Sequence, residues 1–395
     1  MSATSLSISQ KESSIGIFST GMALFSMFFG AGNLIFPLIV GQMSGNQTPF
    51  AIVGLGLSAV AFPFLGLIAM MFYGGEIHAF LGRLGKWPAL ALLFILQMSQ
   101  GPVGAMPRLI TLMHASVKPY LPGVSLFFFS LLICTAIFIL TVRPQRIVRL
   151  LGVILTPLLL LTLAVLVIVG IIHAPEAPIA LGSPLSHFGQ GLKMGYQTTD
   201  LIAALLFATI VLPHLSQGTD ALSPEERKWI IQRRMKGASL IASALLMVTY
   251  IGLCWLSAHH SWTLGSLPPE ELLQAISVQI LGPVGGWIAS AAVFLACLTT
   301  AISLAAIFSE YLKKDLLPKT TAPILPLLLT LGITAGVANL GFSGIVRLWG
   351  PLLEVLYPSL IVLCTMNIAY CLYRFQPVQT PVFFTLGVAI GCFCF

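Results

Sequence analysis

The chain has 395 residues, of which 57% are hydrophobic and only 8% charged, with a formal net charge of +7. Soluble domains carry about 25% charged residues. A fully water-exposed surface is therefore excluded, and the chain reads as an all-α polytopic membrane protein. Its positive balance then belongs to loops on one membrane face and calls for no nucleic-acid partner.

Residues 1–15 are polar, contain Lys11 and Glu12, and lack the short apolar core and small-residue cleavage site of a secretory signal. They read as a cytoplasmic N-terminal segment. A membrane span needs about 20 mainly apolar residues. That criterion predicts spans over 16–41, 50–73, 88–110, 121–141, 147–172, 192–212, 237–258, 285–310, 322–341, 348–370 and 379–395. With the N-terminus inside, the Lys and Arg residues divide 15 inside to 4 outside, the bias that sets membrane orientation. The stretch Pro224–Lys236 between spans 6 and 7 is basic enough for an amphipathic helix on the cytoplasmic surface, or for a topology anchor.

The first span is interrupted by Gly30-Ala31-Gly32-Asn33, followed by Phe36-Pro37. Lipid cannot hydrogen-bond bare peptide groups, so backbone left unpaired at that depth must line a protein-enclosed cavity. Span 6 departs in the same way, at Gly195-Tyr196-Gln197-Thr198-Thr199-Asp200. A carboxylate at the bilayer centre costs about 2.5–3.5 kcal/mol on insertion scales. Asp200 therefore either serves a central site, where it could also cap the half-helix that follows, or lies near the outer interface. Spans 1 and 6 each open a block of five, giving units 16–172 and 192–370 with 379–395 as an additional span. Five is odd, so the second block inserts upside down. Interrupted segments at matching places in inverted halves point to the midplane site of a carrier. The N–H end of a half-helix suits a carboxylate and the C=O end a small cation.

In span 8, Thr299 and Thr300 either complete an oxygen cage for a hard cation or bond back to their own helix. Arg108, read as closing span 3 after Pro107, is either an outer-gate residue paired with Asp200 or a snorkelling anchor. Glu354 in span 10 either carries a coupling proton or sits close to the outer surface. Tyr196 either binds a substrate amine or belongs to an aromatic belt. Phe25, Phe28, Phe29, Phe36 and Phe207 lie near the breaks. An apolar pocket there would suit a branched aliphatic group, whose full burial is worth roughly 1.5–3 kcal/mol. The seven cysteines have no metal-ligand spacing or disulfide framework, and the histidines form no metal pair at helical spacing.

Phe25-Ser-Met-Phe-Phe-Gly-Ala-Gly-Asn-Leu-Ile-Phe-Pro37, Gly101-Pro-Val-Gly-Ala-Met-Pro-Arg108 and Gly195-Tyr-Gln-Thr-Thr-Asp200 resemble the bacterial branched-chain amino acid:cation symporter family. Span order and loop lengths fit across nearly the whole chain. More distantly, Gly30-Ala-Gly-Asn33 with Phe36-Pro37 resembles the first span of LeuT-like sodium-coupled amino acid transporters. The resemblance implies a LeuT-like 5+5 inverted repeat with broken spans 1 and 6. It also implies import of leucine, isoleucine and valine through a bacterial inner membrane with sodium as coupling ion, or a proton instead. No cofactor and no nucleic-acid partner is implied; the amino acid and membrane lipid are the partners, and the oligomeric state stays open. Carried over, the carbonyls of Ser26, Phe29 and Ala296 and the hydroxyls of Thr299 and Thr300 would hold one cation. The N–H groups of Ala31 and Gly32 would meet the substrate carboxylate, with Phe29, Gly30, Asn33, Tyr196, Thr198, Thr199 and Phe207 completing the pocket. Asn33 also matches a second-cation ligand. The family usually has twelve spans, where eleven are read here. The rival reading, an integral-membrane enzyme on a lipid-linked substrate, finds no cluster of His and carboxylates to support it.

Overall fold

The computed structural model describes residues 3–142, 154–216, 219, 223–264, 267–318 and 320–394. Among these every regular element is helical. Six segments are long and apolar enough to cross a membrane: Ala31–Phe72, Lys86–Val117, Pro184–Leu215, Glu225–His260, Pro283–Leu316 and Gly341–Tyr373. Shorter apolar helices, Gly16–Phe28, Leu126–Thr141, Thr156–Ile172, Leu325–Ala338 and Gln379–Phe393, accompany them. Each predicted span is met by helix, except that 147–153 of the fifth, with the basic residues before it, lies outside the described residues.

The first span consists of α1 (Ala3–Phe28) and α2 (Ala31–Ser44). The second is α3 (Thr48–Gly56) and α4 (Phe62–Phe72), joined by a π-helical turn, Leu57–Ala61. After the short α5 (Ile77–Leu81), α6 (Lys86–Gln100) and α7 (Ala105–Val117) make the third, and α8 (Leu126–Thr141) and α9 (Thr156–Ile172) follow. The sixth span is α10 (Pro184–Gln197) and α11 (Asp200–Leu215). Then come α12 (Pro224–His260), α13 (Leu272–Leu281), α14 (Pro283–Tyr311), α15 (Leu325–Ala338), α16 (Gly341–Tyr373) and α17 (Gln379–Cys394). Helix starts follow local chemistry. Ser183 Oγ accepts the Ser186 N–H at 3.2 Å with Pro184 next in line. Ser223 and Glu226 bond reciprocally at the start of α12, the capping-box pattern.

Four expectations are corrected. The breaks are narrower than the motifs: the first spans only Phe29–Gly30 and the second Thr198–Thr199. Span 3 does not end at Arg108. It runs to Val117 with a third break at Gly101–Gly104, so Arg108 is buried, at 4% exposure. Gly101-Pro-Val-Gly favours a break, because Pro102 lacks an N–H and its ring crowds the preceding turn, while the two glycines lower helix propensity on either side. The basic stretch before span 7 is no separate surface helix, since α12 runs unbroken from Pro224. The segment between spans 7 and 8 carries α13, where loop was expected.

Where polar contacts are few, membrane helices pack through small residues that let backbones approach. On α3 and α10, a Cβ at Gly54 would sit 2.1 Å from the Phe188 carbonyl oxygen, and one at Gly191 would sit 2.0 Å from that of Ala51. A Cβ at Gly41 of α2 would lie 2.1 Å from the Cys254 carbonyl oxygen in α12. Spans 1, 2, 6 and 7 are thereby held at distances that only glycine permits, and this fixes where the two main breaks meet.

Candidate functional site

The two breaks face each other. A Cβ at Gly32 would lie 3.1 Å from the Thr198 Cα, and one at Gly30 would lie 3.0 Å from Leu109 Cδ2 and 3.2 Å from Thr300 Oγ1. The motif's two glycines thus serve two contacts: Gly30 admits spans 3 and 8, and Gly32 admits the backbone of the second break. Asn33 ties the arrangement together. Its Oδ1 accepts the Gly30 N–H at 3.2 Å, and its Nδ2 donates to Asp200 Oδ2 at 2.7 Å and approaches Tyr250 Oη. Tyr250 Oη donates to the same Asp200 oxygen at 2.9 Å. One short polar cluster therefore links span 1, span 6 and span 7.

The second break holds the one buried non-glycine residue among those described with a left-handed backbone, Thr199 at φ 64°, ψ 16°. That conformation is disfavoured for a β-branched residue and costs of order 1–3 kcal/mol. Its neighbours hold it there. Gln100 Nε2 donates to the Thr199 carbonyl at 3.2 Å, and Arg108 Nη1 to the Gln197 carbonyl at 3.4 Å. On the far side, the Leu201 N–H, an otherwise unmatched donor at the start of α11, reaches Tyr357 Oη at 3.3 Å. The third break is served in the same way by Trp349 Nε1, which donates to the Val103 carbonyl at 2.9 Å.

A cavity of about 20 Å³ lies between the breaks, walled by Gly30 to Asn33, Thr198 to Asp200, Arg108, Gln100, Thr300 and the apolar Phe28, Leu109 and Phe207, among others. That volume holds one water-sized sphere, so an amino acid enters only when these walls part. Of the residues expected to bind substrate, Gly30, Ala31, Gly32, Asn33, Thr198, Thr199 and Phe207 line it. Two do not. The Phe29 ring stacks on Phe25 at 5.1 Å and faces Tyr250 at 6.5 Å, and the Tyr196 ring packs on Tyr357 at 4.8 Å.

Asp200 is buried inside the protein, at 1% exposure, and lines the cavity between the breaks. No side-chain cap bond opens α11, and the bonds to Asp200 Oδ2 come from the Asn33 and Tyr250 side chains. The expected Arg108–Asp200 ion pair is not formed: the bond that Arg108 makes goes to a carbonyl. Glu354 is half-buried in α16 and away from the cavity lining. Span 8 closes against span 1 through hydroxyls. Thr299 Oγ1 donates to the Ser26 carbonyl at 3.0 Å and to that of Ala296 at 2.9 Å, and Thr300 Oγ1 donates to the Ser26 carbonyl at 3.1 Å. Four of the five oxygens expected around a cation therefore converge on one spot at the end of α1. Gln100, Tyr250 and Tyr357 were not foreseen. They lie in ordinary apolar spans, and only proximity to the breaks marks them.

The sequence pattern of the family described as "Branched-chain amino acid transport protein" matches residues 13–393. The chain belongs to that family. The family's relatives include the branched-chain amino acid transport system 3 carrier protein of Pseudomonas aeruginosa, 31% identical over 365 residues that make up 91% of this chain and 82% of that one. The branched-chain amino acid permease BrnQ of Bacillus subtilis is 30% identical over 378 residues, 93% of this chain and 84% of the relative. Family membership makes this a multi-pass transport protein and excludes the enzyme reading. Solved structures extend the fold comparison. The nucleobase-cation-symport-1 family transporter Mhp1, closed with bromovinylhydantoin bound, superposes with a TM-score of 0.61 at 16% identity, covering 91% of this chain and 78% of the other. MhsT in complex with L-phenylalanine gives 0.60 at 14%, covering 96% and 98%. The chain therefore has the LeuT-like fold.

Proposed function

We propose that this chain is a secondary symporter that imports leucine, isoleucine and valine with sodium by alternating access across a bacterial inner membrane. The observation that carries the reading is the meeting of the two breaks, Gly32 against Thr198 and Asn33 on Asp200, around one buried cavity. The substrates borne by the relatives' names support the choice of branched-chain amino acids. The Ala31 and Gly32 N–H groups open α2 and have no carbonyl one turn back within that helix. They offer a partial positive charge to a carboxylate. Phe28, Leu109 and Phe207 supply the apolar wall for a branched side chain.

Sodium would take the carbonyls of Ser26, Phe29 and Ala296 and the hydroxyls of Thr299 and Thr300. The hydroxyl-to-carbonyl bonds among Ser26, Ala296, Thr299 and Thr300 support this choice of donors. On binding, the two hydroxyls would turn their lone pairs to the ion, and span 1 would be braced on span 8. Because spans 1 and 8 also wall the cavity, each ligand would raise the other's affinity by the same factor. Spans 1, 2, 6 and 7 would rock as a unit against 3, 4, 8 and 9, which suits their glycine-mediated contacts. A proton-coupled carrier is the second reading, and the buried Asp200 favours it.

The test is uptake of radiolabelled leucine into proteoliposomes with and without an inward sodium gradient. Stimulation by sodium alone is expected. Equal uptake in both conditions rejects sodium coupling, and stimulation by an inward proton gradient instead selects the second reading.

A further inference from the structure

Arg108 and Asp200 wall the same cavity from different elements, Arg108 one turn past the third break and Asp200 at the first residue after the second. Both are buried, at 4% and 1% exposure. Among the described residues neither has an ion-pair partner. Each is also left with unused bonding capacity. Asn33 and Tyr250 both donate to Oδ2 of Asp200, and the Thr198 side chain adds a third bond to a carboxylate that has about four acceptor sites. Arg108 has five N–H donors, yet its bond in the protein is one 3.4 Å contact from Nη1 to the Gln197 carbonyl. A buried charge without its counter-charge is strongly unfavourable, and here two of opposite sign border a single small space. A ligand that satisfies both at once carries a negative and a positive group close together, as two substituents of one carbon do.

We propose that Arg108 and Asp200 form a charge clamp for a zwitterionic α-amino acid, with Arg108 taking the carboxylate and Asp200 the ammonium. The clamp rests on the carrier reading above and deepens it: it adds recognition of the head group to the apolar wall that accepts the side chain. The planar guanidinium meets a carboxylate with two parallel bonds, alongside the N–H groups of α2. Asn33, Tyr250 and Thr198 act as positioning residues that fix the Asp200 carboxylate beside the cavity. The clamp also accounts for the cost of Arg108 in span 3, where an apolar residue would pack as well. Both charged walls move when the breaks move, Asp200 with span 6 and Arg108 with span 3. A zwitterion bridging them would draw the two units together as it binds.

The test uses the purified full chain in proteoliposomes, with labelled leucine uptake competed by three ligands. These are unlabelled leucine, leucinamide, which keeps the ammonium but lacks the carboxylate, and 4-methylpentanoate, which keeps the carboxylate but lacks the ammonium. Ligand-induced shifts of the melting temperature, read on the same protein, cover variants that bind without transporting. Arg108→Gln is expected to weaken leucine at least about tenfold while leaving leucinamide within about threefold. Asp200→Asn is expected to weaken leucine while sparing 4-methylpentanoate. Arg108→Lys, which keeps the charge but not the fork, should fall between wild type and Arg108→Gln. If either variant weakens all three ligands equally, or leaves leucine unchanged, the clamp is wrong. If the wild-type chain takes up no leucine, the carrier reading fails instead.

Discussion

Thr199 sits at φ 64° because Gln100 and the meeting of the breaks hold it there. A glycine at this position adopts the same backbone without a Cβ penalty. Thr199→Gly should therefore raise the melting temperature of the detergent-purified protein, against the loss of about 1 kcal/mol that glycine brings to an ordinary helical position. A lowered melting temperature would show that the threonine side chain matters more than the strain. Gly32 makes the opposite case. A methyl there lies 3.1 Å from the Thr198 Cα, a backbone atom that cannot swing aside. Gly32→Ala should cost about 1–3 kcal/mol through overpacking and reduce leucine uptake by holding the two breaks apart. Circular dichroism melts and uptake on one preparation check both effects.

At the scale of the element, each broken helix needs partners for the groups its break frees. The second break finds Gln100, Arg108 and Tyr357, and the third finds Trp349. Span 8 is unbroken, yet it supplies the hydroxyls that lock span 1 through the Ser26 carbonyl. Removing one hydroxyl there leaves the helix intact, because Thr299 still bonds to both carbonyls. Thr300→Ala should thus express normally while raising the sodium concentration for half-maximal leucine uptake at least fivefold. An unchanged half-saturation would sink the assignment of Thr300 to the cation.

For the whole molecule, orientation and coupling are the properties to measure. With the N-terminus inside, Lys228 faces the cytoplasm and Glu271 the exterior, and both are exposed. In a background where Cys371, Cys392 and Cys394 are serine, Glu271→Cys should react with an impermeant maleimide on whole cells. Lys228→Cys should react only after permeabilisation, and the reverse pattern would invert the orientation. Linkage gives a second readout. A ligand that binds the folded protein stabilises it by RT ln(1 + [L]/Kd). Leucine should therefore raise the melting temperature more in sodium than in potassium, and sodium more in leucine than without it.

Composition, span order and the places of the main interruptions were legible in the sequence, because lipid imposes a length and polarity rule that each segment obeys by itself. Gly30, Gly32 and Asp200 stood out for the same reason: each violates that rule locally. The pairing of interruptions was not local. Nothing in the sequence around Asn33 shows that its amide will meet Asp200, 167 residues away, or that Tyr250 will join them. The motif from Gly101 to Arg108 was visible, but its placement at the end of a span was wrong. Only the packed structure shows the helix resuming to Val117 and carrying Arg108 into the interior. The sequence by itself determined which segments span and where they break. The tertiary structure alone decided which freed groups and buried charges meet, because those contacts depend on glycine-scale distances between helices far apart in the chain.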